Sequence, residues 1–292
     1  MAAVHPIPSF LQLPIDAVEE AESLERSRPR DAALARGGSL RLTHPVRVAP
    51  EGAGTDEAEP GLRSADPTGP MPATPAPQSA QSAGGFDRSA TIAAWRAWLR
   101  EWEIDADPAP VIDALVERLG DSRRYSHNLE RVAAELAWLE EWRDAAQDPV
   151  AIGFATWFRY AILDASRCDN EARSAEFARI GLAGLGVDTN RIRLVRDLIV
   201  STREGAVVGS PDARLLADIG RVRYADAAAA FDQHEEALRA ESTHVVDAIY
   251  WRRRIAAIRA MLIKPRVYLT DVARDRLEAS ARENLSRRLE AS

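Results

Sequence analysis

The sequence predicts an all-α protein, and three observations carry that reading. From Phe86 onward, apolar residues recur three and four positions apart, the period of a helix with one buried face. No stretch alternates polar and apolar residues as a half-buried strand does, and no βα rhythm occurs. Twelve of the seventeen prolines fall before residue 86, which leaves the rest of the chain free to run in helices.

Residues 1–85 mix Pro, Ala, Gly, Ser and acidic residues without any period, too little apolar surface to offset chain entropy. They are expected to form a disordered arm in front of a single folded domain over 86–292. Pro72, Pro75 and Pro77 would suit a short polyproline segment, although a plain linker is the preferred reading. The first helix is capped by Asp87 or Ser89 and carries Ile92, Trp95, Trp98, Leu99 and Trp102 on one stripe. That stripe is read as core packing rather than as a ligand-stacking surface.

A second helix over 111–119 ends at Gly120, and a longer one over 126–146 turns Leu129, Val132, Leu136 and Leu139 inward. Residues 150–163 form the hydrophobic centre of the chain. The helix over 170–184 is closed by Gly186, and 190–202 presents Ile192, Val195, Leu198 and Ile199 on one face. After a loop at 205–211, helices are expected over 212–230, 235–263 and 271–289, with Pro265 interrupting the last two.

Composition removes several function classes. The chain has 292 residues, a net charge of −7 and a pI near 5.4, which argues against a general nucleic-acid surface. Its one cysteine, Cys168, excludes an internal disulfide and a Cys-rich zinc cluster and suits a reducing, cytoplasmic setting. No run is apolar enough to span a membrane, and the opening residues lack the basic start of a signal peptide. Lys264 is the only lysine. There is no glycine-rich phosphate loop, nucleophile elbow or Cys-His pair, and His5, His44, His234 and His244 read as scattered surface residues. The run Arg252-Arg253-Arg254 reads as a solvated helix face.

The remaining motifs follow one another in order. They are Arg124-Tyr-Ser-His127-Asn128-Leu-Glu-Arg131-Val, Trp157-Phe-Arg-Tyr-Ala-Ile-Leu-Asp164, Asn170-Glu171-x-x-Ser174-Ala175 and Leu215-Leu-Ala-Asp218. Pro265-x-x-Tyr268-x-Thr270 and Glu278-x-x-Ala-Arg282-x-Asn284-Leu285 close the series. Over about residues 95–289 the chain resembles the predicted metal-dependent phosphohydrolases of the HD superfamily, which implies an HD-domain-like helical bundle.

The resemblance also implies where a site would lie. The family's first segment reads His-Asn-x-x-His; its first histidine, which would protonate a leaving oxygen, falls on His127, and its second, a metal ligand, falls on Arg131. The His-Asp pair that names the superfamily falls on Arg159 and Tyr160. The distal aspartate falls on Asp218, and a further family acid is replaced by Gly220. Only one of four metal ligands survives.

A divalent ion held by histidine and carboxylate lowers the pKa of its bound water and polarises a phosphoryl oxygen. Arginine offers no lone pair for that task. At about 4 Å and an effective dielectric of about 20, two unit positive charges repel by about 4 kcal/mol, so no metal cofactor is expected.

Three uses of the altered site remain open from the sequence. The acids Asp164, Glu171 and Asp218 would need compensation if the metal were lost, so Arg131 and Arg159 could form a structural ion cluster with them. The two arginines could instead bind a nucleotide or other phosphate with His127, Asn128, Asn170 and Glu171. Finally, His127 could act as a general acid and Asp164 or Asp218 as a base for hydrolysis without metal.

Overall fold

The computed structural model describes residues 86–203 and 209–291, and the expected N-terminal arm over 1–85 lies outside them. The described residues form α-helices and two short 3-10 turns with no strand. The helices are α1 (Arg88–Glu101), α2 (Ala109–Leu119), α3 (Leu129–Glu141), α4 (Pro149–Phe158) and α5 (Asn170–Gly184). They continue as α6 (Thr189–Ser201), α7 (Pro211–Ile219), α8 (Ala228–Glu241), α9 (Asp247–Ile263) and α10 (Asp271–Glu290).

Helix α4 is the axis of the first half. Asp148 caps it by accepting from the Ala151 amide at 2.8 Å, and Pro149 takes a first-turn position where no amide donor is needed. Every side chain from Val150 to Phe158 is buried, so α4 is apolar all round, and α3, α5, α6 and α7 pack around it. Helix α1 adds an aromatic layer. The rings of Trp95, Trp98 and Trp102 lie 4.9, 5.5 and 5.1 Å from that of Phe154, as the core-packing reading of the tryptophan stripe requires.

Helix α5 ends as the sequence suggests, with Gly186 at φ +80°, a left-handed backbone that a side chain would strain. The Asp212 carboxylate then ties α7 to the start of α4 by accepting the Gln147 and Asp148 amides at 2.7 and 3.0 Å.

The second half is joined more by polar contacts. Asn284 on α10 donates to the Tyr224 and Asp226 carbonyls, at 3.0 and 2.8 Å, and anchors the 3-10 turn Val222–Ala225. Arg254 on α9 reaches Glu235 on α8 at 2.8 Å, and Arg287 on α10 reaches Asp232 at 2.9 Å.

Several boundaries differ from those the pattern suggests. Helix α3 begins at Leu129 because Asn128 turns its side chain back to cap the Arg131 amide at 3.0 Å, which leaves Ser126 and His127 in the preceding loop. Helix α4 stops at Phe158, so Arg159 and Tyr160 stand at its end. The helix expected over 212–230 divides into α7, the 3-10 turn and α8, while the long one expected over 235–263 breaks at Ser242–Val246. The break is held by Arg239, which donates to the Ser242 and Val245 carbonyls at 2.7 and 2.9 Å. Most of the loop expected at 205–211 lies outside the described residues.

Candidate functional site

The loop before α3, the end of α4 and the end of α7 converge on one buried polar cluster. The Asn128 cap orients the first turn of α3 so that Arg131 points along the helix to Glu135, Nε to Oε1 at 2.8 Å. Arg131 also donates to the Tyr160 hydroxyl at 3.1 Å and to the Gly220 carbonyl at 2.9 Å. From the end of α4, Arg159 pairs with the second oxygen of the same carboxylate and donates to the Leu216 carbonyl at 3.3 Å. Tyr160 completes the cluster by donating its hydroxyl to Glu135 at 3.0 Å, and the Arg159 guanidinium stacks 4.7 Å from its ring.

The two arginines and Glu135 are 2 to 6 % exposed. Burial works against ionisation of Glu135, but Arg159 and Arg131 hold its carboxyl below the usual range. Burial likewise disfavours the Arg131 cation, yet Tyr160 and Glu135 keep its pKa above the ordinary value. The Tyr160 phenol is pushed up, chiefly by burial.

Gly220 explains how Arg159 fits. A Cβ there would stand 3.1 and 3.4 Å from the two terminal nitrogens of Arg159, so the missing side chain provides the guanidinium's space.

His127 lies beside this cluster with its ring 4.7 Å from that of Tyr160. Its Nδ1 meets the Glu241 carboxylate at 2.6 Å, and the other oxygen of Glu241 accepts the Ser126 and His127 amides, both at 2.8 Å. A carboxylate so placed selects the Nδ1–H tautomer and leaves Nε2 as the basic nitrogen. Burial lowers the His127 pKa, against the opposing pull of Glu241. Arg124 fixes the geometry from below by donating to the Tyr160, Ala161 and His127 carbonyls.

The other expected residues lie elsewhere. Asp164 is exposed, and its Oδ1 accepts from the Ser166 amide and hydroxyl at 2.9 and 2.6 Å, which hold its carboxyl below the usual range. Asn170 closes the same loop by bonding both backbone groups of Asp164, at 2.9 and 2.8 Å. Glu171, next to it on the first turn of α5, is half-buried.

Asp218 is fully buried and accepts from the Leu269 and Thr270 amides and the Thr270 hydroxyl at 2.7 to 3.0 Å, tying α7 to the start of α10. Burial pushes its pKa up despite those donors. The acid that meets the arginines is therefore Glu135, and not Asp164, Glu171 or Asp218.

Two surface readings are corrected here. His234 is buried 3.4 Å from the Ser126 hydroxyl, and its pKa is pushed down to about 2 by burial and by Arg131, Arg223 and Arg254. Arg254 is not part of a solvated face but an internal partner of Glu235.

Sequence reasoning missed Glu135 and Glu241. Glu135 had a signal, being an acid on the inward stripe of α3 between Val132 and Leu139, four residues after Arg131. Glu241 had none, since it stands 114 positions from the histidine it holds.

The donors gathered around the cluster do not suit a divalent cation. The two guanidinium groups offer no lone pair, and Asp218 is taken up by Leu269 and Thr270. Among the described residues, no three or more His, Cys, Asp or Glu side chains form a group able to hold a metal ion. No helix there is long and apolar enough to cross a membrane. The chain matches no family model, no curated protein and no solved structure.

Proposed function

We propose that this chain is a metal-free, non-catalytic relative of the HD-superfamily phosphohydrolases, in which an arginine–glutamate cluster closes the position of the metal. The observation that carries the reading is the shared carboxylate: Arg131 and Arg159, at the positions of two family histidines, both turn onto Glu135. Gly220, where the family has an acid, gives Arg159 its space, so the substitutions fit one another physically. The arginine donors reach Glu135, Tyr160 and two carbonyls instead of an open cleft, which favours a structural role over phosphate binding. The exposed Cys168 and the absence of a membrane-spanning helix among the described residues accord with a cytoplasmic setting.

The test is a broad panel of phosphomonoesters, phosphodiesters and nucleotides, assayed with and without manganese and scored also for thermal stabilisation. The expected result is neither turnover nor stabilisation. Sustained turnover, or nucleotide stabilisation abolished by Arg131→Glu with Arg159→Glu in a folded variant, contradicts the reading.

One observation favours a second reading, metal-independent hydrolysis of a phosphoester. The Glu241–His127 pair has the build of an acid–base dyad, with Nε2 lacking a partner among the described residues. Proton transfer alone contributes about 10²- to 10⁴-fold, a small part of what phosphate-ester cleavage needs. Turnover that survives EDTA and is lost in both His127→Ala and Glu241→Gln would establish this reading instead.

A further inference from the structure

We infer that residues 11–25 of this same chain dock on the outward face of α9. That face combines an apolar strip with unpaired cations. Ile249, Ala256, Ala260 and Ile263 recur at helical spacing and are all exposed, and Val246, just before the helix, is 68 % exposed. Arg252 and Arg259 flank the strip on one side, Arg253 lies on the other, and Lys264 follows its end; all four are exposed.

These cations differ from most arginines among the described residues. Arg88, Arg96, Arg143, Arg239, Arg274, Arg276 and Arg287 all lie against carboxylates, whereas Arg252, Arg253, Arg259 and Lys264 have no ion-pair partner among the described residues. Asp247 is the only acid on α9 and is engaged by Arg239.

The complementary segment is in the sequence. Residues 11–25 carry Asp16, Glu19, Glu20, Glu22 and Glu25 beside and among Leu11, Leu13, Ile15, Val18 and Leu24, and no arginine or lysine precedes Arg26. Five carboxylates and five branched aliphatic side chains match a strip of aliphatic residues rimmed by four cations.

Reach is not limiting. Roughly 60 residues separate Glu25 from Phe86, and at about 3.3 Å per residue their contour is about 200 Å. A second copy fits the strip less well, because antiparallel pairing of two α9 faces sets Arg252 and Arg253 against Arg259.

The single lysine makes the test specific. Carbodiimide joins carboxylates to amines in contact, so in the full chain at high dilution Lys264 should couple to one of the five acids between Asp16 and Glu25. A mixture of isotope-labelled and unlabelled chains distinguishes coupling within a chain from coupling between chains. Two variants apply: Arg252→Glu with Arg253→Glu and Arg259→Glu, and Glu19→Gln with Glu20→Gln and Glu22→Gln. The second leaves every described residue intact, so its folding is not at issue.

The coupled product is expected to fall about tenfold in either variant, and by a similar factor in about 1 M salt, where the screening length is about 3 Å. Coupling of Lys264 only to acids of the helical part, coupling only between chains, or a yield unchanged in both variants overturns the proposal.

Discussion

Arginine serves two opposite ends in this chain. In the central cluster Arg131 and Arg159 are buried and bound to one carboxylate, whereas on α9 Arg252, Arg253 and Arg259 are exposed and unpaired among the described residues. Burial is what separates the two. A guanidinium taken out of water needs its counter-charge at all times, so the cluster is a matter of folding. A solvated one costs little to leave free, so the α9 face remains available for association.

The contrast is tested hardest at Glu135. Glu135→Ala leaves two guanidinium groups without their carboxylate, and the loss is expected to be about 3–5 kcal/mol by urea unfolding, the range found when one partner of a buried pair is removed. Retention of wild-type stability would show that the cluster is hydrated and not closed.

Gly220→Ala should cost less, about 1–3 kcal/mol, because the added methyl crowds the Arg159 guanidinium and forces a shift. The same substitution in an Arg159→Met background should cost measurably less than in the wild type. Equal costs in the two backgrounds would mean that Gly220 is not there to make room for Arg159.

His234 gives a pH prediction. Its folded pKa of about 2 lies below an unfolded value of about 6.5, so the unfolded state binds the extra proton. The stabilisation from keeping His234 neutral is therefore complete above about pH 6.5 and is lost as the pH falls, by up to about 1.4 kcal/mol per pH unit. Asp226 opposes this, since burial raises its carboxyl to about 6 and the folded state holds its proton more tightly. Comparing wild type with His234→Asn isolates the histidine: the difference in slope between pH 4 and 6 should approach one proton. An unchanged slope would place His234 in contact with water.

The smallest effect belongs to α9. Arg252→Ala should change stability by no more than about 0.5 kcal/mol, as expected of a surface residue outside any packed or paired feature among the described residues. A larger loss that persists alongside Glu19→Gln, Glu20→Gln and Glu22→Gln would reveal a partner within the helical part.

The residues most readable from sequence were those whose role is local. The tryptophan stripe of α1, the Asn170 start of α5 and the Gly186 stop each follow from spacing or backbone preference within a few residues. The break between α8 and α9 was hidden because Ser242–Val246 contains neither glycine nor proline and is held by Arg239 reaching across the turn. The candidate site was half legible. The resemblance singles out Arg131 and Arg159, but their partner Glu135 reads as part of a helix pattern, and the neighbouring Glu241 comes from a distant helix. Nothing local in the sequence marks His234 as a buried imidazole, so its pattern reads as that of a surface residue.

The cluster is proposed to take the place of a metal. That replacement is tested most directly by the metal content of the purified full chain, measured by mass spectrometry after incubation with manganese, iron or nickel and removal of excess, with melting temperature recorded alongside. The account predicts no stoichiometric metal and an unchanged melting temperature. One equivalent of metal with a clear rise in melting temperature would contradict it.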